Sequence, residues 1–262
     1  MKEILTIENL NYKPILKDIN LSFYENTFHL VTGSNKCGKT TLIRILSGII
    51  EVQDCYFYKN QNVYDLSSFE FSKTFSYYFY NGYFHFSFES VNSEILYQFD
   101  KTNYSVSERK MKYRNLLKIF HLQEKEKEQI KNLCHFDKIK LVLLTKVIHT
   151  PKILLLDNVF DDLLEKEVKE IIEIFKKIGG MTIIVSSNTL EMSYLFDQIV
   201  VMDKSTVIFS GTPFAVLKED STLNKLGLNL PFMVDLSIKL KYYGLVEDIE
   251  LDMDRMVNKL WK

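Results

Sequence analysis

Apolar residues along the chain follow two different periods, and the change between them marks the elements. Near the start, Ile4, Thr6 and Glu8 alternate with Leu5, Ile7 and Asn9, and Leu16, Ile19, Leu21 and Phe23 supply a second half-buried face. This spacing predicts strands over residues 1–31, broken by a turn at Lys13-Pro14. Phe28-His29-Leu30-Val31 is a short apolar run expected as a buried strand. Thr41-Leu42-Ile43-Arg44-Ile45-Leu46 then shifts to helical spacing and stops at Gly48. Asp54-Cys55-Tyr56-Phe57-Tyr58 followed by Lys59-Asn60-Gln61-Asn62 reads as a hairpin. The aromatic stretch at 75–88 begins as a strand and becomes a loop around Asn81-Gly82.

Residues 107–130 read as charged and helical, with Leu116, Leu117, Phe120 and Leu122 on one face, and a second helix is expected over 138–148. Ile153-Leu154-Leu155-Leu156-Asp157 is continuously apolar until its last residue, as expected of a parallel strand covered on both faces. A helix at 165–177 and another buried strand, Thr182-Ile183-Ile184-Val185-Ser186, repeat the alternation. The chain closes this part with a hairpin-like pair, Gln198-Ile199-Val200-Val201-Met202-Asp203 and Thr206-Val207-Ile208-Phe209-Ser210-Gly211. Strands alternating with helices predict an α/β fold.

The chemistry gathers at the second change of period. Gly33-Ser34-Asn35-Lys36-Cys37-Gly38-Lys39-Thr40 matches G-x-x-x-x-G-K-[ST] between an expected strand and an expected helix. Such a loop aims backbone N–H groups at phosphates, and its glycines let the backbone approach where a Cβ would not fit. Lys39 supplies a cation for the outer phosphates, the Thr40 hydroxyl a ligand for Mg²⁺, and Thr41 follows at the helix start. Asp157 ends its strand at the edge where ligands sit in open α/β sheets, and is the expected second Mg²⁺ ligand. Tyr12, upstream of the loop, has two readings: a ring that stacks on adenine, or a sheet-surface tyrosine.

With 262 residues and 46% hydrophobic content the chain can fill one large domain with a small appendage. A net charge of -1 gives no global field for nucleic acid, so none is expected as a partner. Cys37, Cys55 and Cys134 are too scattered for a disulfide framework or a zinc site, which suits a reducing compartment. The alternating N-terminus reads as a strand rather than a leader, and no window of about 18 apolar residues offers a bilayer crossing.

The order of these pieces resembles an ABC-transporter ATP-binding subunit over nearly the whole chain. Opening antiparallel strands, phosphate loop, helical insert, the strand ending in Asp157, and the closing Phe209-Ser210-Gly211-Thr212-Pro213 fall in the family's order. The tail, Leu226-Gly227-Leu228-Asn229-Leu230-Pro231 with Leu236-Ser237-Ile238-Lys239-Leu240, is similar to the C-terminal extension of energy-coupling factor ATPases. The resemblance implies a P-loop NTPase fold with an N-terminal antiparallel β-subdomain. It divides the chain into a nucleotide-binding domain at 1–221, with a helical insert at about 90–148, and a dimerising helical extension at 222–262. It implies ATP and Mg²⁺ as ligands and a second ABC ATPase subunit as partner. It also implies a membrane scaffold contacting the region near 80–88, and a peripheral place on the cytoplasmic face of the cell membrane. The imported cargo would be a vitamin or a metal ion.

The departures from the family pattern are concentrated in the parts that cleave ATP. Tyr80 stands where the resemblance implies a Gln that reaches Mg²⁺ and the attacking water. Leu133-Cys134-His135-Phe136-Asp137 stands where it implies the glycine-rich signature that binds the partner's γ-phosphate, with Asp137 expected to bring negative charge there. Asn158 occupies the place of the catalytic Glu, Ser187 that of the switch His, and Leu164 that of the dimer-loop Asp. An amide cannot take a proton from water, and loss of a general base alone costs about 10²–10⁴ in rate, roughly 3–5 kcal/mol of barrier. The expectation is a subunit that binds Mg-ATP with impaired hydrolysis. The alternative is a nucleotide-sensing pseudo-ATPase with a regulatory or scaffolding role and no transport.

Overall fold

The computed structural model describes residues 2–251 and 253–260. The opening strand and the extension expected at 222–262 therefore reach outside the described residues at Met1, Asp252, Trp261 and Lys262. In chain order, β1 (Glu3–Tyr12) and β2 (Leu16–Tyr24) form an antiparallel pair, and β3 (Phe28–Gly33) leads into α1 (Lys39–Leu46). The short strands β4 (Tyr56–Tyr58) and β5 (Gln61–Asn62) precede α2 (Ser68–Thr74) and β6 (Phe75–Phe79). An insert of α3 (Val91–Asp100), α4 (Val106–Ile119) and α5 (His135–Val147) separates these from β7 (Ile153–Asp157), α6 (Glu165–Ile178) and β8 (Thr182–Ser186). A hairpin of β9 (Gln198–Asp203) and β10 (Thr206–Gly211) and the helices α7 (Pro213–Leu217), α8 (Asp220–Lys225), α9 (Phe232–Tyr242) and α10 (Met253–Leu260) complete the chain. Among the described residues no helix is long and apolar enough to cross a membrane.

Two sheets organise these elements. A 4-stranded antiparallel sheet runs β2-β1-β4-β5, and a 6-stranded sheet runs β10-β9-β3-β8-β7-β6, parallel except for its β10 edge. Every residue of β3, β7 and β8 is buried, as the continuous apolar runs require. Alternation still assigns each side chain to a face. Ile153, Leu155 and Ile184 pack with α1 and the small sheet, whereas Leu154, Leu156 and Val185 pack with the insert and α6. Registers of Asp157 with Ser186 and of Gly33 with Met202 bring the C-terminal ends of β3, β7, β8 and β9 to one edge.

The helix expected over 107–130 stops at Ile119. Ser105 starts it with a capping box to Glu108, and His121, at φ 55, turns the chain out of helical conformation. The following charge run forms a 3₁₀ turn at Gln123–Lys125. The next helix begins at His135, earlier than its apolar pattern indicated, so His135, Phe136 and Asp137 lie in its first turn.

Candidate functional site

The loop after β3 is threaded through a gap that only glycine fits. A Cβ on Gly33, at φ +149, would lie 2.0 Å from the Met202 carbonyl oxygen. One on Gly38, at φ +110, would lie 2.6 Å from Leu16 Cδ2. The end of β9 and the β1–β2 hairpin thus clamp the loop from two sides. Lys36 takes a left-handed conformation at φ 65 within it, and Ser34 Oγ anchors the loop by donating to Asp203 Oδ1 at 2.6 Å. The Cys37 N–H donates to Ser34 O at 3.3 Å, closing a turn around the exposed Asn35.

Lys39 is 6% exposed, and its Nζ donates to Gly33 O at 2.9 Å and Ser34 O at 3.0 Å. Among the described residues no carboxylate forms an ion pair with it. A buried ammonium met only by these carbonyls and by Cys37 Sγ at 3.8 Å is short of counter-charge, which an anion in the loop would supply. Lys36, Cys37, Gly38, Lys39, Thr40, Thr41, Ile15, Asn158 and Asn188 line a cavity of about 290 Å³ over the start of α1. Thr40 Oγ1 lies 3.4 Å from Asp157 Oδ1, and Ser186 Oγ donates to the same carboxylate oxygen. A hydroxyl and a single carboxylate beside a phosphate cradle are the hard oxygen donors Mg²⁺ takes while keeping waters. The residues present therefore fit a Mg²⁺-bound phosphate chain, with Lys39 and the loop N–H groups on the phosphates and Thr40 and Asp157 on the metal. Tyr12 is half-buried against the core of the small sheet, and it is Ile15 from the same hairpin that reaches the cavity.

The residues at the cleaving positions are engaged elsewhere. Tyr80 is 9% exposed, its N–H donates to Asp157 O at 3.0 Å, and its ring packs on Phe84 and His135 at centroid distances of 5.5 and 5.8 Å. Burial and then the nearby Asp162 carboxylate push its phenol above the usual range. Leu133 is buried, Cys134 is exposed at the N-cap of α5, and Phe136 carries Lys140 Nζ 4.7 Å above its ring. Asp137 corrects the expectation of negative charge at a phosphate face. Its carboxylate is buried, pairs with Lys125 and with Lys140 at 3.0 Å, and accepts from Cys134 Sγ at 3.0 Å. Burial works against its ionisation, yet these hydrogen bonds outweigh burial and hold its pKa below the usual carboxylate value. Leu164 is exposed at the N-cap of α6.

Asn158 sits at φ 56, its N–H donating to Ser186 O and Oγ, both at 3.2 Å. Ser187 Oγ donates to Asp161 Oδ1 at 2.6 Å. Pattern reading did not single out Asp161, Asn188 or Ile15. Their only sequence signals were an acid shortly after Asp157, an amide beside Ser187 and an aliphatic beside Pro14.

Comparison with known proteins agrees with this architecture. Residues 16–161 match the family model for ABC transporters. A putative ABC transporter ATP-binding protein of Pyrococcus abyssi is 26% identical, the match covering 99% of this chain and 98% of the relative. The energy-coupling factor transporter ATP-binding protein EcfA of Pediococcus pentosaceus is 23% identical over 100% of this chain and 97% of its own. Among solved structures, cbiO1 from Clostridium perfringens, part of the ABC transporter complex cbiONQ, superimposes with a TM-score of 0.75. That superposition, at 24% identity, covers 88% of this chain and 96% of cbiO1. The chain belongs to the ABC transporter family and has the fold of its ATP-binding domain. Domains of this family bind ATP, typically with Mg²⁺.

Proposed function

We propose that this chain is the ATP-binding, hydrolysis-impaired subunit of an importer of the energy-coupling factor type, paired with a second ABC subunit beneath a membrane scaffold. The observation that carries this reading is the split within one site. The phosphate-holding side keeps a buried Lys39 that has no carboxylate partner among the described residues, and the Thr40–Asp157 pair. The cleaving side presents the amides of Asn158 and Asn188 to the cavity, with the Ser187 hydroxyl behind them bonded to Asp161. ATP binding, rather than its cleavage on this subunit, would then close the pair, and turnover would depend on the partner's residues. The relatives named for energy-coupling factor transport support the importer assignment; the cargo in this reading is a vitamin or a metal ion.

The scaffold would be received on an aromatic groove of about 510 Å³ lined by Tyr83, Phe84, Phe86, Phe88, Ile130 and Lys138, among others. Phe84 and Phe86 stack at 6.0 Å, and Tyr83 is 72% exposed. A helix presenting apolar side chains would bury this surface, at about 25 cal/mol per Å² removed from water. Co-expression with a second ATP-binding subunit and an integral scaffold tests the reading. The three proteins should co-purify from detergent, and Phe86→Glu in the groove should release this chain. Persistence of the complex with Phe86→Glu would place the contact elsewhere. Absence of any membrane partner would leave only the soluble nucleotide-sensing role.

A further inference from the structure

Asp161 accepts from Ser187 Oγ at 2.6 Å, from Asn188 Nδ2 at 2.7 Å and from the Asn188 N–H at 3.3 Å. An ionised carboxylate only accepts, so the Asn188 amide must turn its NH₂ toward Asp161. The same Nδ2 lies 3.5 Å from Asn158 Oδ1. That long contact still sets polarity: Asn158 points its carbonyl at Asn188 and its NH₂ the other way. No partner among the described residues takes that NH₂. The Asn158 backbone is fixed by its N–H bonds to Ser186, and both asparagines line the cavity that Lys39 and Thr40 share.

We propose that Asp161, acting through Asn188, orients the Asn158 amide as a hydrogen-bond donor to the terminal phosphate of a bound nucleoside triphosphate. The position becomes a reader of the third phosphate instead of a base. Asp161 is a positioning residue here, since Asn188 and Asn158 lie between it and the ligand. The inference rests on the reading that the loop holds a nucleoside triphosphate. A hydrogen bond to a charged phosphate oxygen contributes about tenfold in affinity or more, and a diphosphate would not collect it.

The test is calorimetric titration of the purified full chain with ATP and with ADP, each with Mg²⁺, for wild type, Asp161→Asn and Asn158→Asp. Asp161→Asn is isosteric, but its own NH₂ can face Asn188, which frees that amide to flip. The ATP-to-ADP affinity ratio should fall about tenfold. Asn158→Asp removes the donor and sets a carboxylate in its place, so the ratio should fall at least as far. A role in folding alone would weaken both nucleotides together and leave the ratio where it was. An unchanged ratio in Asp161→Asn overturns the relay while leaving the nucleotide reading intact. A wild-type chain that binds neither nucleotide overturns that reading, and the relay with it.

Discussion

His29 makes folding stability depend on pH in a way that can be worked from the structure. It lies in the middle strand that delivers the phosphate loop and is 1% exposed. Its ring meets Phe23 edge-on at 5.0 Å and stacks with Tyr24 at 6.0 Å. Nε2 accepts from the Tyr24 N–H at 3.1 Å and lies 2.7 Å from Thr27 Oγ1, and Nδ1 has no partner among the described residues. Burial lowers its pKa from 6.5 to about 4. As pH falls through 6.5 the unfolded chain takes up a proton at this position, while the native chain does not until near 4. The unfolded state then holds more protons, so stability is complete above 6.5 and is lost on going down to 4. The gap of about 2.5 pK units, at 1.36 kcal/mol each, is a loss of about 3 kcal/mol. Urea denaturation of wild type and His29→Gln at intervals from pH 7.5 to 4 isolates it, because every other titrating group is common to both. The wild-type curve should fall relative to the variant by about 3 kcal/mol over that window. Parallel curves would refute the argument and mean that His29 is protonated within the fold.

Other outcomes follow from the same geometry. Gly33→Ala sets a Cβ 2.0 Å from a backbone oxygen that cannot yield, and should cost about 3–5 kcal/mol in the denaturation midpoint. Wild-type stability would mean the loop can leave the end of β9. Lys140→Met removes the more buried of the two ammoniums on Asp137 and should cost about 2–3 kcal/mol, whereas Lys125→Ala, at a more exposed side chain, should cost less. The reverse ranking in thermal melts would contradict the assigned pairing. Lys36→Gly relieves a left-handed residue and should raise the stability of the free chain by up to about 1 kcal/mol; a fall would show that Lys36 makes a stabilising contact.

The α/β order, the strand–loop–helix at Gly33 to Thr40 and the buried strand ending at Asp157 were legible because each is written in a local period. What was not legible depends on distance or on a single dihedral. Nothing in the charge pattern shows that Asp137 folds inward, since one of its partners, Lys125, lies across a turn. The helical run of α4 ends because His121 adopts φ 55, although its residue type permits a helix. Asp161 acquires its role only when β7 and β8 lie side by side, which brings Ser187 and Asn188 to it. The helix α2 carries a full Ser67–Glu70 capping box, yet at 7 residues it has too few apolar positions to display a period.

The proposed role of this site is to hold a nucleotide without cleaving it. It is tested most directly by measuring ATP binding and phosphate release side by side on the purified chain, with Lys39→Ala as the control. Saturable Mg²⁺-dependent ATP binding that Lys39→Ala removes is expected, with phosphate release at the level of that variant. Turnover in the ordinary enzyme range of about 1–10³ s⁻¹, lost in Lys39→Ala, would contradict it and require another residue to act as the base.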